Sequence, residues 1–188
     1  MKSIILGSNS PRRKELLKGL GLEFTVDTGN TFDERIEEGV DPHQQVIDMS
    51  EGKSAGFHRP LQADEILITA DTIVIVEGEL LGKPHSREEA VLMLRKLSGR
   101  EHEVVTAVTI RDNSRKLTFS DSSSVRFAAL DDKEIDYYID NYKPFDKAGA
   151  YGIQEWIGYA AIESIKGSFY NIMGLPVHRI YQEIKSFL

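Results

Sequence analysis

Apolar positions in this chain fall into short runs and helical stripes, separated by turns built on glycine, proline and aspartate. Lys2 to Gly7 contains Ile4-Ile5-Leu6 and predicts a short buried strand that ends at a glycine. Ser10-Pro11 follows, with serine suited to an N-cap and proline to the first turn of a helix. Leu16, Leu17 and Leu20 supply that helix with an apolar stripe, and Gly19 and Gly21 end it. Phe24 to Val26 predicts a second strand, followed by a polar loop from Asp27 to Gly39. Asp41-Pro42 repeats the cap-and-proline signal for a helix running to about Phe57. Ile66 to Val76 is apolar and rich in β-branched residues, so it predicts a central strand. A turn at Glu77-Gly78-Glu79 leads into Leu80 and Leu81, the signature of a hairpin.

Further along, Ser86-Arg87-Glu88-Glu89 has the spacing of a capping box, and a helix through Ala90, Leu94 and Leu97 closes at Gly99. Two long strands are predicted over Glu103–Arg111 and Leu117–Phe127, joined at Asp112-Asn113-Ser114. Asp131 opens another helix with Ile135, Tyr138 and Ile139 inward, and it closes before Pro144. A glycine-bearing segment, Lys147 to Gln154, precedes a strand around Tyr159 to Ile165. Pro176 begins a final amphipathic helix with Val177, Ile180, Ile184 and Leu188 on one face. Strands and helices interleave but hairpins interrupt them, which predicts an α/β fold with a mixed rather than all-parallel sheet and flanking helices. The 188 residues fit one domain, 1–188, or two tightly joined lobes sharing a central cleft.

Composition narrows the chemistry. With 23 Lys+Arg against 30 Asp+Glu the formal net charge is −7, and a pI near 5.3 argues against a broad nucleic-acid-binding face. A small polyanion, which needs only a local basic pocket, stays open. The absence of cysteine excludes disulfides, thiolate metal sites and cysteine catalysis together. The run Met1 to Leu6 is too short for a signal peptide, and no stretch approaches the ~20 apolar residues of a membrane span. The expectation is a soluble cytoplasmic protein without a membrane partner.

Four features could carry chemistry. Ser8-Asn9-Ser10-Pro11-Arg12-Arg13 is a strand-to-helix turn, where backbone amides and two arginines can receive phosphate oxygens. A merely capped helix with two solvated arginines is the plainer alternative, and no Walker or GxGxxG loop is present. Asp71 lies within Ile68-Thr69-Ala70-Asp71-Thr72-Ile73-Val74, and a carboxylate in so apolar a strand is costly to bury unless it is paired or binds metal. It could equally cap a neighbouring loop from a bulge. Asp33-Glu34 in the polar loop could complete an oxygen-rich Mg²⁺ site with Asp71, or be a solvated turn. Lys53 and Lys83 are lysines of low specificity, Lys83 within Gly82-Lys83-Pro84. The five histidines have no metal-ligand spacing, and Gln154 at the end of a glycine-bearing bend could read the edge of a planar heterocycle.

Together these residues resemble the Maf family, the septum formation inhibitor proteins regarded as nucleoside triphosphate pyrophosphatases. The S-x-S-P-R-R turn is matched by Ser8, Ser10, Pro11, Arg12 and Arg13; the acidic loop by Asp33-Glu34; and the helical lysine by Lys53. The A-D-T-[VI]-V strand is Ala70 to Val74, and L-G-K-P is Leu81 to Pro84. Met93 to Arg100, Asp146-Lys147-Ala148-Gly149 and Gly174-Leu175-Pro176 follow in family order. Tyr151-Gly152-Ile153-Gln154 resembles the subgroup associated with dTTP and UTP; the sister subgroup, associated with 7-methyl-GTP, usually has glutamate at the last position. Two departures stand out: Glu155-Trp156-Ile157-Gly158 where a Gly-x-Gly is common, and Leu6-Gly7-Ser8 for L-A-S.

The resemblance implies a Maf/ITPase-like fold and hydrolysis of dTTP and UTP to the monophosphate plus pyrophosphate. It implies a divalent cation, Mg²⁺ or Mn²⁺, held by Glu34 and Asp71, with Asp71 as the base for the attacking water. Lys53, Lys83 and Arg12 would offset phosphate charge, Ser8 and Ser10 would cradle the phosphates, and Arg13 would bind phosphate or hold structure. Arg12, Thr72 and Gln154 would set base choice. Nucleotide-pool sanitation linked to cell-division arrest and a homodimer are family-level expectations. Two alternatives remain: a nucleotide-sensing regulator of septum formation without significant turnover, and a pyrophosphatase preferring a modified nucleotide such as 7-methyl-GTP.

Overall fold

A computed structural model describes residues 2–37 and 39–188. Seven strands, β1 (Ser3–Leu6), β2 (Phe24–Val26), β3 (Glu65–Val76), β4 (Glu79–Leu81), β5 (Glu101–Arg111), β6 (Lys116–Phe127) and β7 (Ile162–Lys166), form one sheet. Its order is β2-β1-β3-β5-β6-β7, with β4 paired to β3. β1 runs parallel to β2 and β3, whereas β4 on β3 and β7 on β6 are antiparallel, so the sheet is mixed as expected. The helices are α1 (Pro11–Lys18), α2 (Pro42–Ala55), α3 (Arg87–Leu97), α4 (Asp132–Tyr142), α5 (Trp156–Ala161), α6 (Phe169–Met173) and α7 (Val177–Ile184). None of the described helices is long and apolar enough to cross a membrane.

The chain divides into two compact units. The first gathers residues up to Asp71, Thr106–Asp121 and Gly174–Leu188; the second holds Thr72–Val105 and Ser122–Met173. Part of the first unit's core is the cluster of Ile5, Phe57, Leu61 and Leu67. The second is centred on Val74, Leu94, Leu97, Phe127, Tyr138 and Ile139, with α3 packed against α4. Each large side chain of this kind contributes roughly 1.5–3 kcal/mol when fully removed from water.

Helix ends follow the sequence with three corrections. Ser10, Asp41 and Asp131 cap α1, α2 and α4, and Asp131 and Glu134 form a reciprocal capping box. At α3 only half of the expected box forms: Ser86 Oγ accepts from the Glu89 amide, while Glu89 Oε2 turns back one residue further to the His85 amide at 2.7 Å. Residues 156–161 are helical rather than extended, and the strand begins at Ile162. On α7, Val177, Ile180 and Ile184 are buried, but Leu188 lies beyond the helix and is exposed; Phe187 is buried instead, beneath the Arg115 guanidinium.

One buried polar group marks the second core. His102 is 3% exposed and its Nε2 lies 2.7 Å from Tyr151 Oη, with Phe127 and Tyr151 edge-on around the ring. Burial pushes this imidazole down to about 4 from its usual 6.5, so it is neutral in the native state near pH 7. The unfolded chain binds the proton first as pH falls, so His102 removes stability between pH 6.5 and 4. His102→Gln, which keeps a polar partner for Tyr151 but does not titrate, should abolish that part of the pH dependence. Urea unfolding at pH 7 and pH 4.5 should show wild type losing about 2 kcal/mol more than the variant. Equal losses would refute the neutral buried histidine.

Candidate active site

The first unit carries a built turn between β1 and α1. Ser8 Oγ accepts from the Ser10 amide at 3.3 Å and from Arg13 Nη1 at 3.5 Å, and Ser10 Oγ caps α1 through the Arg13 amide. Arg13 reaches inward: Nε donates to Gly174 O and Nη1 to Ala70 O, both at 2.9 Å. Burial pushes its guanidinium down from the ordinary arginine value, and the charge of Asp71 works against that. Arg13 therefore fastens the turn to the residue just before Asp71. Arg12, half-buried, belongs to the same turn.

Asp71 is 8% exposed on β3, and it has the partner that burial demands. Lys53 Nζ donates to Asp71 Oδ1 at 2.5 Å and stands 3.2 Å from Glu34 Oε1. One ammonium thus lies between two carboxylates. Asp33, in contrast, pairs with Arg35 in solvent. A lysine this close offsets the repulsion that would otherwise separate Glu34 from Asp71.

Two devices place that lysine and its loop. Buried hydroxyls pin α2 to the strands: Thr69 Oγ1 donates to Ser50 O at 2.9 Å, and Ser50 Oγ lies 2.9 Å from Thr109 Oγ1. One turn on, Arg111 donates to Ser54 O and Oγ. The polar loop is clamped to the end of the same helix: Asn30 Nδ2 donates to Lys53 O at 2.6 Å, and the Thr31 amide to Gly56 O at 2.8 Å. The Phe32 ring lies directly over Gly52, where an added Cβ would come within 2.2 Å of it. A glycine inside a helix costs about 1 kcal/mol against alanine. Here it admits the ring that carries Glu34 to Lys53.

The second unit holds Thr72, half-buried directly after Asp71 on β3, and Lys83, exposed after β4. The bend from Asp146 to Gln154 is tied to the Lys83 turn by the Gly149 amide donating to Gly82 O at 3.0 Å. Gly149 has φ +67°, and a Cβ there would meet Val74 at 2.9 Å, so only glycine suits the position. Lys147, 7% exposed, stands 3.2 Å from Glu155 Oε1 and 2.8 Å from Asp146 Oδ1. Tyr138 Oη donates to Glu155 Oε2 and accepts from the Gly152 amide at 2.9 Å. Gln154 Oε1 is buried with no hydrogen-bond partner.

The Maf-like protein family model matches residues 3–187 of this chain. The chain belongs to the Maf family. Relatives include a dTTP/UTP pyrophosphatase of Porphyromonas gingivalis, 53% identical over 98% of this chain and 94% of its own. A protein of the same name from Parabacteroides distasonis is 49% identical over 98% of this chain and 95% of its own. Among solved structures, a HAM1 protein from Coxiella burnetii superposes with a TM-score of 0.51 at 13% identity, covering 99% of this chain and 100% of that one. That likeness extends to the fold alone.

Within the first unit, the Maf residues Ser8, Ser10, Arg13, Glu34, Lys53 and Asp71 fall into two linked groups, joined where Arg13 reaches Ala70. Thr72, Lys83 and Gln154 lie in the second unit. Sequence reasoning missed Asn30, Phe32 and Gly52; the signal available was a glycine in the interior of α2. It also missed Glu155 as a partner for Lys147. Among the described residues no three His, Asp or Glu side chains gather into a metal cage. Glu34 and Asp71 fit the sparser mode in which one or two carboxylates hold Mg²⁺ and substrate phosphates complete the shell.

The Phe32 contact yields a separable effect. In Gly52→Ala the helix gains about 1 kcal/mol of propensity while the half-buried Phe32 ring is driven out, so global stability should change by less than about 1 kcal/mol. The loop should nevertheless come free. Amide exchange at Thr31 and Phe32 should accelerate about tenfold or more. Unaltered protection of those amides would show that Phe32 does not hold the loop.

Proposed function

We propose that this protein hydrolyses nucleoside triphosphates to the monophosphate and pyrophosphate, with dTTP and UTP preferred. The observation that carries the reading is the Lys53 ammonium shared by Asp71 and Glu34, next to a turn that carries Arg12, Ser8 and Ser10 and is fastened beneath by Arg13. The activity named for relatives near 50% identity supports the same conclusion. Cytoplasmic nucleotide-pool sanitation linked to septum formation, and a homodimer, extend the reading by family likeness.

In this mechanism Asp71 is the general base. Lys53 engages Oδ1, so proton transfer from the attacking water falls to Oδ2. Attack on the α-phosphorus breaks its bond to the bridging oxygen, and pyrophosphate leaves. A divalent cation, Mg²⁺ or Mn²⁺, held by Glu34 and Asp71 would supply charge neutralisation for the phosphate oxygens. Lys53, Lys83 and Arg12 offset charge on those oxygens, and Ser8 and Ser10 receive the phosphate chain. Arg13, committed to Ala70 O and Gly174 O, acts by holding the turn. Arg12, Thr72 and Gln154 read the base. Gln154 has both a donor and an acceptor, matching O4 and N3–H of uracil or thymine.

The decisive measurement is incubation with UTP and Mg²⁺, resolving pyrophosphate from orthophosphate. Equimolar UMP and pyrophosphate are expected; orthophosphate would indicate stepwise dephosphorylation, and binding without turnover a sensor. Asp71→Asn should lower kcat by ~10²–10⁴ while the fold is retained. A variant keeping more than about a tenth of wild-type turnover would remove Asp71 as base. Glu34→Gln should lose activity that added Mg²⁺ partly restores, and a loss insensitive to the cation would contradict coordination. Lys53→Ala and Lys83→Ala should each cost roughly 2–4 kcal/mol of transition-state stabilisation, read from kcat/KM. Across the eight common triphosphates and 7-methyl-GTP, dTTP and UTP should lead. A flat profile, or a preference for 7-methyl-GTP, would overturn the base assignment.

A further inference from the structure

Within the first unit, two carboxylate oxygens converge on one point, and a positive charge fills it. Lys53 Nζ lies 2.5 Å from Asp71 Oδ1 and 3.2 Å from Glu34 Oε1. These carboxylates are the ones assigned above to a divalent cation, so one place has two claimants. A pair of neighbouring carboxylates needs a counter-charge, and either an ammonium or a metal ion supplies it. Both at once overcompensate the pair and repel each other.

Most of what surrounds this point is held in place. Asp71 belongs to β3, and the carbonyl of its neighbour Ala70 is gripped by Arg13. The loop that carries Glu34 is clamped to α2 through Asn30 and Thr31. The Lys53 backbone is fixed as well, since its carbonyl accepts from Asn30 and the preceding turn is pinned through Ser50. What can swing is the lysine side chain, a flexible four-carbon stem bearing a compact ion with three rotatable donors. Arg13, the other cation whose charge acts with those of Asp71 and Glu34, lacks that freedom because Gly174 O and Ala70 O hold it. The Glu34 side chain is 49% exposed, against 12% for Asp71 and 13% for Lys53, so a hydrated ion reaches the group from the Glu34 side.

We propose that the Lys53 ammonium is an exchangeable occupant of the cation site: it yields Asp71 Oδ1 and Glu34 Oε1 to an arriving divalent ion and is thereby released to meet phosphate oxygens. The inference rests on the reading of Glu34 and Asp71 as cation-holding residues and deepens it. Asp71 Oδ2, the oxygen assigned to proton transfer, takes no part in the exchange. A divalent ion that comes alone must displace the ammonium, so it binds weakly. With a triphosphate present the displaced ammonium gains a new partner, and ion and nucleotide each strengthen the binding of the other.

The test measures Mn²⁺ binding by water-proton relaxation in wild type, Lys53→Met and Glu34→Gln/Lys53→Met, with thermal melts run alongside. Methionine keeps much of the stem and removes the charge. Without nucleotide, Lys53→Met should bind Mn²⁺ about tenfold more tightly than wild type, even though its turnover is impaired. A lysine that merely holds the carboxylates in place predicts the reverse, since its loss would disorder them. Equal or weaker Mn²⁺ binding by folded Lys53→Met would overturn the proposal. Wild type carries the test if Lys53→Met does not fold, through trace acetylation read by peptide mass mapping. Saturating Mg²⁺ at constant ionic strength should raise labelling of Lys53 about threefold relative to the other lysines. Unchanged relative labelling would overturn the exchange. Glu34→Gln/Lys53→Met should lose the affinity gained by Lys53→Met. If the double variant keeps that affinity, Glu34 does not hold the ion and the underlying cation assignment falls instead, so the two failures are distinguishable.

Discussion

Much of the first unit is arranged around a single ammonium. Lys53 stands between Asp71 on a nearly all-buried strand and Glu34 on an exposed loop, and it makes their proximity tolerable. An isolated carboxylate in that strand would be expensive to desolvate. Pairing permits Asp71 to sit inside the sheet, where it is rigid, rather than on a loop. Supports radiate from this point: Ser50 and Ser54 fix the helix that carries the lysine, Asn30 and Phe32 fix the loop that carries the glutamate, and Arg13 fixes the turn beside the aspartate.

This economy explains why the site is polar beneath as well as at its surface. The hydroxyls of Ser50, Thr69 and Thr109 lie where a simpler core would have valine or isoleucine. Each one's hydrogen bond is worth only about 1 kcal/mol net, yet together they specify one register of α2 on β3 and β5. A one-residue rotation of that helix would carry Lys53 away from Asp71. Directional bonds resist such sliding better than interchangeable aliphatic contacts do.

The fold was largely legible because its signals are local. Caps at Ser10, Asp41 and Asp131, the hairpin at Glu77-Gly78 and the apolar run of β3 depend on neighbours in sequence, and they form as read. Where the reading failed, a longer-range partner decided the outcome. Glu89 finds the His85 amide, residues 156–161 coil into a helix before pairing begins, and Phe187 displaces Leu188 from the core. At the site, the ionisable residues were visible by type, Asp71 through its apolar setting and Glu34 through the family pattern. Their supports were not. Asn30, Phe32 and Gly52 look like ordinary loop and helix residues, and only the folded chain shows the ring lying on the glycine. Glu155 stood out solely as a departure from pattern, and its partner Lys147 became evident with the bend's geometry.

The bond from Arg13 to the Gly174 carbonyl spans 161 residues of chain. Gly174 opens the third segment of the first unit, which is interrupted by both stretches of the second. During synthesis, therefore, the arginine emerges early and its acceptor late. Until Gly174 has left the ribosome, the turn between β1 and α1 lacks that backbone anchor, and the Arg13 guanidinium meets Ala70 and Ser8 without it. The nascent chain can close β1 on β3 and seat Lys53 on Asp71 while the turn beside them is still unfinished. Completion of the turn thereby waits on the emergence of Gly174, and a chain cut short before it cannot finish the turn.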